Sequence, residues 1–435
     1  MANDVYYLNA APAGSRVDAL AEGAFVALLF LVFVTLSPFQ PPPDIATFGD
    51  MVVPGNGAGD SLRQIAYLSV FSTVLFCAAR KRGLEGLTAV PLFIVLLLLW
   101  CLASSYWAAT SGVTMRRAVL AIIIVASAMI SVDTIGTSRA LILWRNVLAG
   151  VLIVNWISIP FITTARHLPG ELDPALVGNW RGLYGHKNIA GGVSAISAIL
   201  FLFAAIERRR WTDFGLFLLA VGFLYMTRSK TSLGMLPVAL TLAGIYRWAW
   251  KRDIDRLIVF VAALLLIVVA SATLFLSSDA IMRFLEDPNE LTGRTAIWAA
   301  EAAYIRDHPW LGAGFGSFAN TGGLSPLHDY MSLSWVGVVS HGHSGYLQLL
   351  VTVGGVGFVL AILGLIFFPA IGFLQPGDGD MATKSLLFAL FVFGVLHNFL
   401  ESDFLESDGP SWVSFLIMLA MLRAPKRAAN AANYQ

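Results

Sequence analysis

The sequence predicts an all-α polytopic membrane protein of about twelve transmembrane helices, with a helical cap on its outer side. Three observations predict it. Of 435 residues, 57% are hydrophobic and 13% charged, with a mean hydropathy of +0.74, far from the balance of a soluble domain. The apolar runs are long enough to cross roughly 30 Å of hydrocarbon at about 1.5 Å per residue. Short basic loops alternate with weakly charged ones along the chain, as expected when Lys and Arg resist translocation.

The predicted spans lie near 19–37, 62–79, 87–105, 117–136, 146–164, 189–206, 212–227, 232–247, 257–276, 344–372, 385–401 and 410–423. The first run starts near Leu20 and continues for a full span, so it reads as a signal anchor. Alternate connections carry Arg80-Lys81-Arg82, Arg139 with Arg145, Arg208-Arg209-Arg210, Arg247 through Arg256, Lys384, and Arg423, Lys426 and Arg427. With Arg16 before the first span, these place both termini in the cytoplasm, on a face holding 17 of the 28 basic residues.

The chain then divides into spans one to nine (1–276), an outer loop domain (277–343), and spans ten to twelve with a cytoplasmic tail (344–435). A smaller outer loop covers 165–188. In the large loop, the apolar pattern of 292–306 predicts a cap helix with Ile297, Trp298 and Tyr304 facing the membrane domain. Pro309, Gly312, Gly314 and Gly316 should end it and make the following turns.

Several classes are excluded. A net charge of +1 argues against a bulk polyelectrolyte binder, so no nucleic-acid partner is expected. Cys77 and Cys101 fall near opposite ends of their spans and should not pair. Asp253-Ile-Asp255 and Asp378-Gly-Asp380 have the form of a metal and nucleotide-sugar motif, but both fall in short cytoplasmic connections and read as solvated loops.

The remaining eleven basic residues are on the outer side, where positive charge is normally scarce: Arg63, Arg116, Arg117, Arg166, Arg181, Lys187, Arg228, Lys230, Arg283, Arg294 and Arg306. An unpaired charge just inside the membrane costs about 2.5–3.5 kcal/mol even on a lenient scale. Outer acids such as Glu171, Asp173, Glu286, Asp287, Glu290, Glu301 and Asp307 can balance some of them. Arg181, Arg228 and Arg294 have no acid within several residues and come from three separate segments, a pattern suited to guanidinium forks meeting phosphate oxygens.

Three motifs sharpen this. Arg181-Gly-Leu-Tyr-Gly-His186-Lys187-Asn188 enters the sixth span, whose N-terminal amides and dipole favour an anion; Asn188 is placed to cap that helix. An ordinary Gly-rich loop would look similar. Thr227-Arg228-Ser229-Lys230 is a tight polar hairpin that either holds an anion between two cations or lets both snorkel to the headgroups. Ser340-His341-Gly-His343-Ser344 leads into the tenth span, where a histidine can take a hydroxyl proton near neutral pH. A capping histidine and a zinc pair are the alternatives, and the zinc reading lacks further ligands. Tyr184, Trp298, Trp310, Phe315, Phe318, Tyr330, Trp335 and Tyr346 are candidates to stack on sugar faces, or else interfacial anchors and cap core.

His343-Ser344-x9-Gly354-x-x-Gly357, preceded by Gly293-Arg294-x3-Trp298 and His308-Pro-Trp-Leu-Gly-x-Gly, resembles the O-antigen ligase and Wzy-type polymerase superfamily. Arg181-Gly-x-x-Gly-His-Lys-Asn188, with Asn398-x-x-Glu401-Ser402, is closer to its ExoQ-like exopolysaccharide polymerases. The resemblance covers about 95–405. It implies a GT-C type, metal-independent, inverting glycosyltransferase of the bacterial inner membrane, without cofactor. Such an enzyme takes oligosaccharide from undecaprenyl diphosphate on the periplasmic side and passes it to an acceptor glycan.

Carried over by motif, Arg181, Arg228 and Arg294, with Lys187 and Lys230 beside them, would hold the diphosphate, and His343 would be the catalytic histidine. His186, His341, Trp298 and Tyr346 are possible substrate contacts, and no metal site is implied. The family commonly has His-Asn where this chain has His343-Ser344, which leaves His341 competing for the role. Polymerisation of exopolysaccharide repeats is the expected activity, with ligation to lipid A core as the alternative; a chain-length regulator and a flippase are possible partners. A secondary transporter or flippase is the rival of another class, but transporters place their binding charges near the midplane of repeat-related halves. Here the polar motifs crowd one surface.

Overall fold

The computed structural model describes residues 15–40, 61–171, 174–252, 294–319, 321, 324–331, 342–375 and 380–432. Among them the regular structure is helical: α1 Arg16–Phe33, α2 Ser61–Arg82, α3 Leu92–Ala103, α4 Ser111–Ile135, α5 Thr137–Phe161, α6 Lys187–Arg208, α7 Trp211–Thr227, α8 Lys230–Lys251, α9 Arg294–Asp307, α10 Leu327–Tyr330, α11 Gly345–Ala361, α12 Phe368–Leu374, α13 Met381–His397 and α14 Pro410–Ala432. Eleven predicted spans coincide with these helices. The ninth, 257–276, lies outside the described residues, as do Arg283, Trp335, His341, Asp253, Asp255 and Asp378.

Among the described residues, five segments are long and apolar enough to cross a membrane: α2, α4, α5, α6, and the continuous run Gly345–Leu374. They pack with the shorter apolar helices around one large core that includes Phe25, Trp144, Phe201, Phe393 and Trp412. α1 starts on a capping box, in which Ser15 Oγ accepts from Asp18 N and Asp18 accepts from Ser15 N, so two amides left over at the helix start are satisfied. Asp380 caps α13 by accepting from the amides of Ala382 and Thr383. Cys77 and Cys101 are buried and unpaired with each other.

The connecting loops sort into two faces. On one, the basic residues used for orientation are neutralised between helices: Lys81 reaches Asp18 at 2.7 Å, Arg139 reaches Glu22 at 2.6 Å, and Arg247 reaches Glu207 at 2.7 Å. The other face carries the loop 162–186, the α7–α8 turn, α9, the entry to α11, and the link 398–409 between α13 and α14.

α9 is the predicted cap helix. Ile297 and Tyr304 are buried with Phe318 and Leu327, in a second small core that also takes Val351 from α11. The cap is fixed to the membrane helices through a break. Gly354 interrupts α11 with φ +65°, and the carbonyls that this frees are taken up by the cap: Ala313 N donates to Val351 O at 2.8 Å and Gly314 N to Thr352 O at 2.9 Å. Trp100 Nε1 takes Val353 O, and Gly355 N donates back to Pro309 O at 2.8 Å. A Cβ on Gly354 would overlap the Trp310 carbonyl, and one on Gly312 would meet Gly354 N at 2.7 Å. The motifs His308-Pro-Trp-Leu-Gly-x-Gly and Gly354-x-x-Gly357 therefore meet backbone to backbone, which only glycine allows at this conformation and distance. Beyond the break the run passes through a π-helical turn, Ile362–Phe367, into α12.

Candidate active site

The amino-terminal ends of α6, α8, α9 and α11 meet the link 398–409, and the Glu401 carboxylate is where they join. Its Oε1 accepts from Asn188 Nδ2 at 2.8 Å, Arg294 Nη2 at 3.0 Å and Thr231 Oγ1 at 3.2 Å. Its Oε2 lies 3.6 Å from His343 Nδ1. Burial by itself would raise this carboxyl. His343, Arg294 and His397 outweigh burial and hold it well below the usual carboxylate range.

The link is held in shape by its own residues. Asn398 Oδ1 accepts from the amides of Asp403 and Phe404 while its Nδ2 donates to Gly394 O. The Gly345 amide, at the start of α11, donates to the carbonyls of Asn398 and Glu401 at 2.8 and 2.9 Å. Beneath, the buried His397 bridges Asp403 Oδ2 at 2.6 Å from Nδ1 and Ser232 Oγ at 3.0 Å from Nε2. The link is thus clamped to α8 and α11, and Glu401 has little freedom to move.

His343 sits one residue before the α11 N-cap with φ +54°, a left-handed conformation uncommon for a side-chain-bearing residue. Trp298 Nε1 donates to the Gly342 carbonyl at 2.7 Å, and Gln348 Oε1 accepts from the Gly342 amide at 3.3 Å. The histidine turn is therefore gripped from α9 and from the next turn of α11. A carboxylate 3.6 Å from Nδ1 faces one edge of the imidazole and leaves Nε2 as the nitrogen that can take a proton during reaction.

The cations are arranged unequally. Lys187 Nζ donates to the Arg228 carbonyl at 3.4 Å, bringing the α6 start to the α7–α8 turn, where Arg228 (φ +52°) and Lys230 are exposed. Arg294 donates to Leu400 O at 2.6 Å as well as to Glu401; the acid absent from its sequence neighbourhood is supplied from the end of α13. Arg181 is fully buried, donating from Nε to Thr164 O at 2.7 Å and from Nη1 to Gly185 O at 3.1 Å. Its Nη2 has no partner among the described residues, and no hydrogen bond joins it to Arg228 or Arg294.

Several expectations are corrected. The α6 N-cap is His186, whose Nδ1 accepts from the Asn188 amide at 3.2 Å; Asn188 turns its side chain to Glu401 instead. Glu171 pairs with His167 rather than with an arginine, and His167 Nε2 accepts from the Lys187 amide at 3.1 Å. Burial lowers the His167 pKa against the opposing pull of Glu171, consistent with a neutral ring donating from Nδ1 and accepting at Nε2. Glu301 pairs with no cation among the described residues. It is 1% exposed, lies against Gly342, and neither carboxyl oxygen has a hydrogen-bond partner; burial pushes it up to about 8.

Of the aromatic candidates, Tyr184, Phe315 and Phe318 are buried core residues. Tyr346 donates its hydroxyl to Val395 O and packs its ring on Phe399 and Phe404. Trp310 is exposed.

Sequence reasoning missed Glu401 as a site residue and missed His397 and Asp403 altogether. The signals for Glu401 were its place in the motif Asn398-x-x-Glu401-Ser402 and its position as an acid directly after an apolar span, on the face otherwise rich in cations.

No curated protein matches the chain. The family model Wzy_C, described as O-antigen ligase, matches residues 215–362, a stretch that begins within α7 and ends at the π-helical turn after α11. It takes in Arg228, Lys230, Arg294, Trp298 and His343 and leaves Arg181, Lys187 and Glu401 outside. Residues 215–362, a stretch shorter than half of the chain, are thus similar to the Wzy_C domain described as O-antigen ligase, in a chain whose described residues form helices, several of them long and apolar enough to cross a membrane.

Proposed function

We propose that the protein transfers oligosaccharide from undecaprenyl diphosphate to an acceptor glycan on the periplasmic face of the bacterial inner membrane, polymerising exopolysaccharide repeat units. The observation that carries this reading is the Glu401 junction. It puts one histidine turn, Arg294 and the starts of α6 and α8 at a single point on one face, with Lys187, Arg228 and Lys230 alongside.

The reaction is a single displacement. His343 takes the proton of an acceptor hydroxyl, the oxygen attacks the anomeric carbon, and the carbon–oxygen bond to the diphosphate breaks with inversion. Undecaprenyl diphosphate leaves with the electron pair. Lys187, Arg228 and Lys230 neutralise the departing phosphates, Arg294 exchanges between Glu401 and the phosphate, and the buried Arg181 holds the loop 162–186 beside them through the carbonyls of Thr164 and Gly185. Fixed guanidinium and ammonium charges do here what a divalent ion does elsewhere. His186, His341 and Trp298 border the sugar, and a chain-length regulator and a flippase are the partners that such a polymerase would need.

The family description favours a second reading, an O-antigen ligase whose acceptor is lipid A core. Purified protein incubated with undecaprenyl diphosphate oligosaccharide in EDTA, with and without lipid A core, separates the two. A product ladder from the donor alone supports polymerisation, and product only with core supports ligation. Labelled substrate moved across liposomes without chemical change would overturn both in favour of a transporter.

A further inference from the structure

Against residues 404–408 of the link lies a cavity of ≈ 280 Å³, lined also by Arg63, Arg117, Gln348 and Thr352, with the rings of Phe315 and Phe404 beside them. Its charges cancel. Arg63 grips Asp408 with Nε at 3.1 Å and with Nη2, Tyr67 OH donates to the same carboxylate at 2.8 Å, and Arg117 donates to the Gly316 carbonyl. With two cations against two carboxylates, the lining has no excess charge to draw a phosphate.

What remains is a room of fixed donors, acceptors and ring faces, the lining that suits a neutral polyhydroxyl ligand. It also communicates with the candidate base. Gln348 lines the cavity and, through Oε1, holds the Gly342 amide next to His343. The Gln348 amide NH2 has no hydrogen bond among the described residues. The link itself contributes to both places, Glu401 to the junction with Arg294 and His343 and Glu406 through Asp408 to the cavity lining.

We propose that this cavity is the acceptor subsite, which seats the terminal sugar of the acceptor glycan so that its hydroxyl reaches His343 from the side opposite the cationic group. The inference rests on the glycosyltransferase reading above. In-line displacement requires that geometry, because nucleophile and leaving group approach the anomeric carbon from opposite faces.

The test separates the acceptor from the donor. Glycan released from the donor by mild acid and capped as an alkyl glycoside lacks diphosphate, so it can only accept; lipid A core is the second acceptor arm. Glu406→Ala and the cavity-filling Ser407→Trp are compared with wild type for transfer to each acceptor and for hydrolysis of the donor by water. We expect the acceptor KM to rise by about tenfold, the loss of one or two hydrogen bonds, with donor hydrolysis unchanged. Donor hydrolysis also certifies that each variant is folded. An unchanged acceptor KM in both variants, or transfer and hydrolysis falling together, overturns the subsite. The acceptor arm affected identifies the glycan's source.

If wild type neither transfers nor hydrolyses, the enzymatic reading fails by itself, and binding of the capped glycan is read by saturation-transfer NMR. A signal present in wild type and lost in Ser407→Trp keeps the cavity as a glycan site. No signal in wild type removes it.

Discussion

Replacing Glu301 by Gln should change how stability depends on pH. Its carboxyl is 1% exposed, lies on Gly342 beside His343, and has neither a cation nor a donor within bonding reach among the described residues. Burial raises it from 4.5 to about 8, a displacement of about 3.5 pH units, worth about 5 kcal/mol at ~1.36 kcal/mol per unit. The sign follows from proton counting. Between pH 4.5 and 8 the folded chain keeps this proton and the unfolded chain loses it, so folding stability falls as pH rises across that window and levels off above it.

At pH 7 the cost is roughly 3 kcal/mol, and above pH 9 it reaches the full ~5 kcal/mol. Glutamine has the same shape and does not ionise. Unfolding midpoints of wild type and Glu301→Gln, measured in detergent from pH 4 to 9, should coincide at the acid end and separate upward, with the variant more stable. Other titrating groups are common to both proteins and cancel in the difference. Parallel curves would refute the account of Glu301 as a neutral, unpaired acid at physiological pH.

The other predictions concern the site and the cap. Glu401→Ala strips the partner from Arg294, whose side chain is only 12% exposed, and should cost on the order of 3–5 kcal/mol together with turnover; thermal unfolding and transfer assays read the two effects. His343→Ala should keep donor binding, measured with labelled lipid-linked glycan, and lose turnover. If instead His341→Ala is the inactive protein and His343→Ala turns over, the base is two residues away. Arg228→Lys keeps the charge but loses the planar fork, so donor KM should rise about tenfold or more; an unchanged KM would leave Arg228 a headgroup anchor. Gly354→Ala puts a Cβ against the Trp310 carbonyl at φ +65°; it should cost more than about 1 kcal/mol and expose 294–331 to limited proteolysis, whereas a wild-type digestion pattern would refute the role given to the helix break.

The positions of the spans were legible in the sequence because a membrane helix has to satisfy its backbone internally and present apolar side chains for its whole length, a requirement that leaves an unbroken local signal. The cap helix was legible for a related reason: its periodic apolar face, Ile297 to Tyr304, is a property of consecutive residues. Glycines at 312, 314 and 354 announced turns and close approach, but not that the first and last of them touch each other. That contact joins residues 42 apart, and only the folded chain could reveal it.

The same limit governs the site. Arg181, Arg228 and Arg294 look alike in the sequence, since each is a cation in a polar stretch of the same outer face, yet folding gives them different environments: one buried among carbonyls, one open at a turn, one joined to Glu401. Asn188 looked like a helix cap because capping is decided locally, but the helix starts at Lys187 with His186 as its cap, and the Asn188 side chain donates to Glu401, 213 residues away. Residue type and spacing determined which chemistry was on offer and on which face it gathered. Which side chains meet was decided by tertiary packing, because the Glu401 carboxylate can bond only what distant segments bring within about 3 Å of it, here Asn188, Thr231 and Arg294.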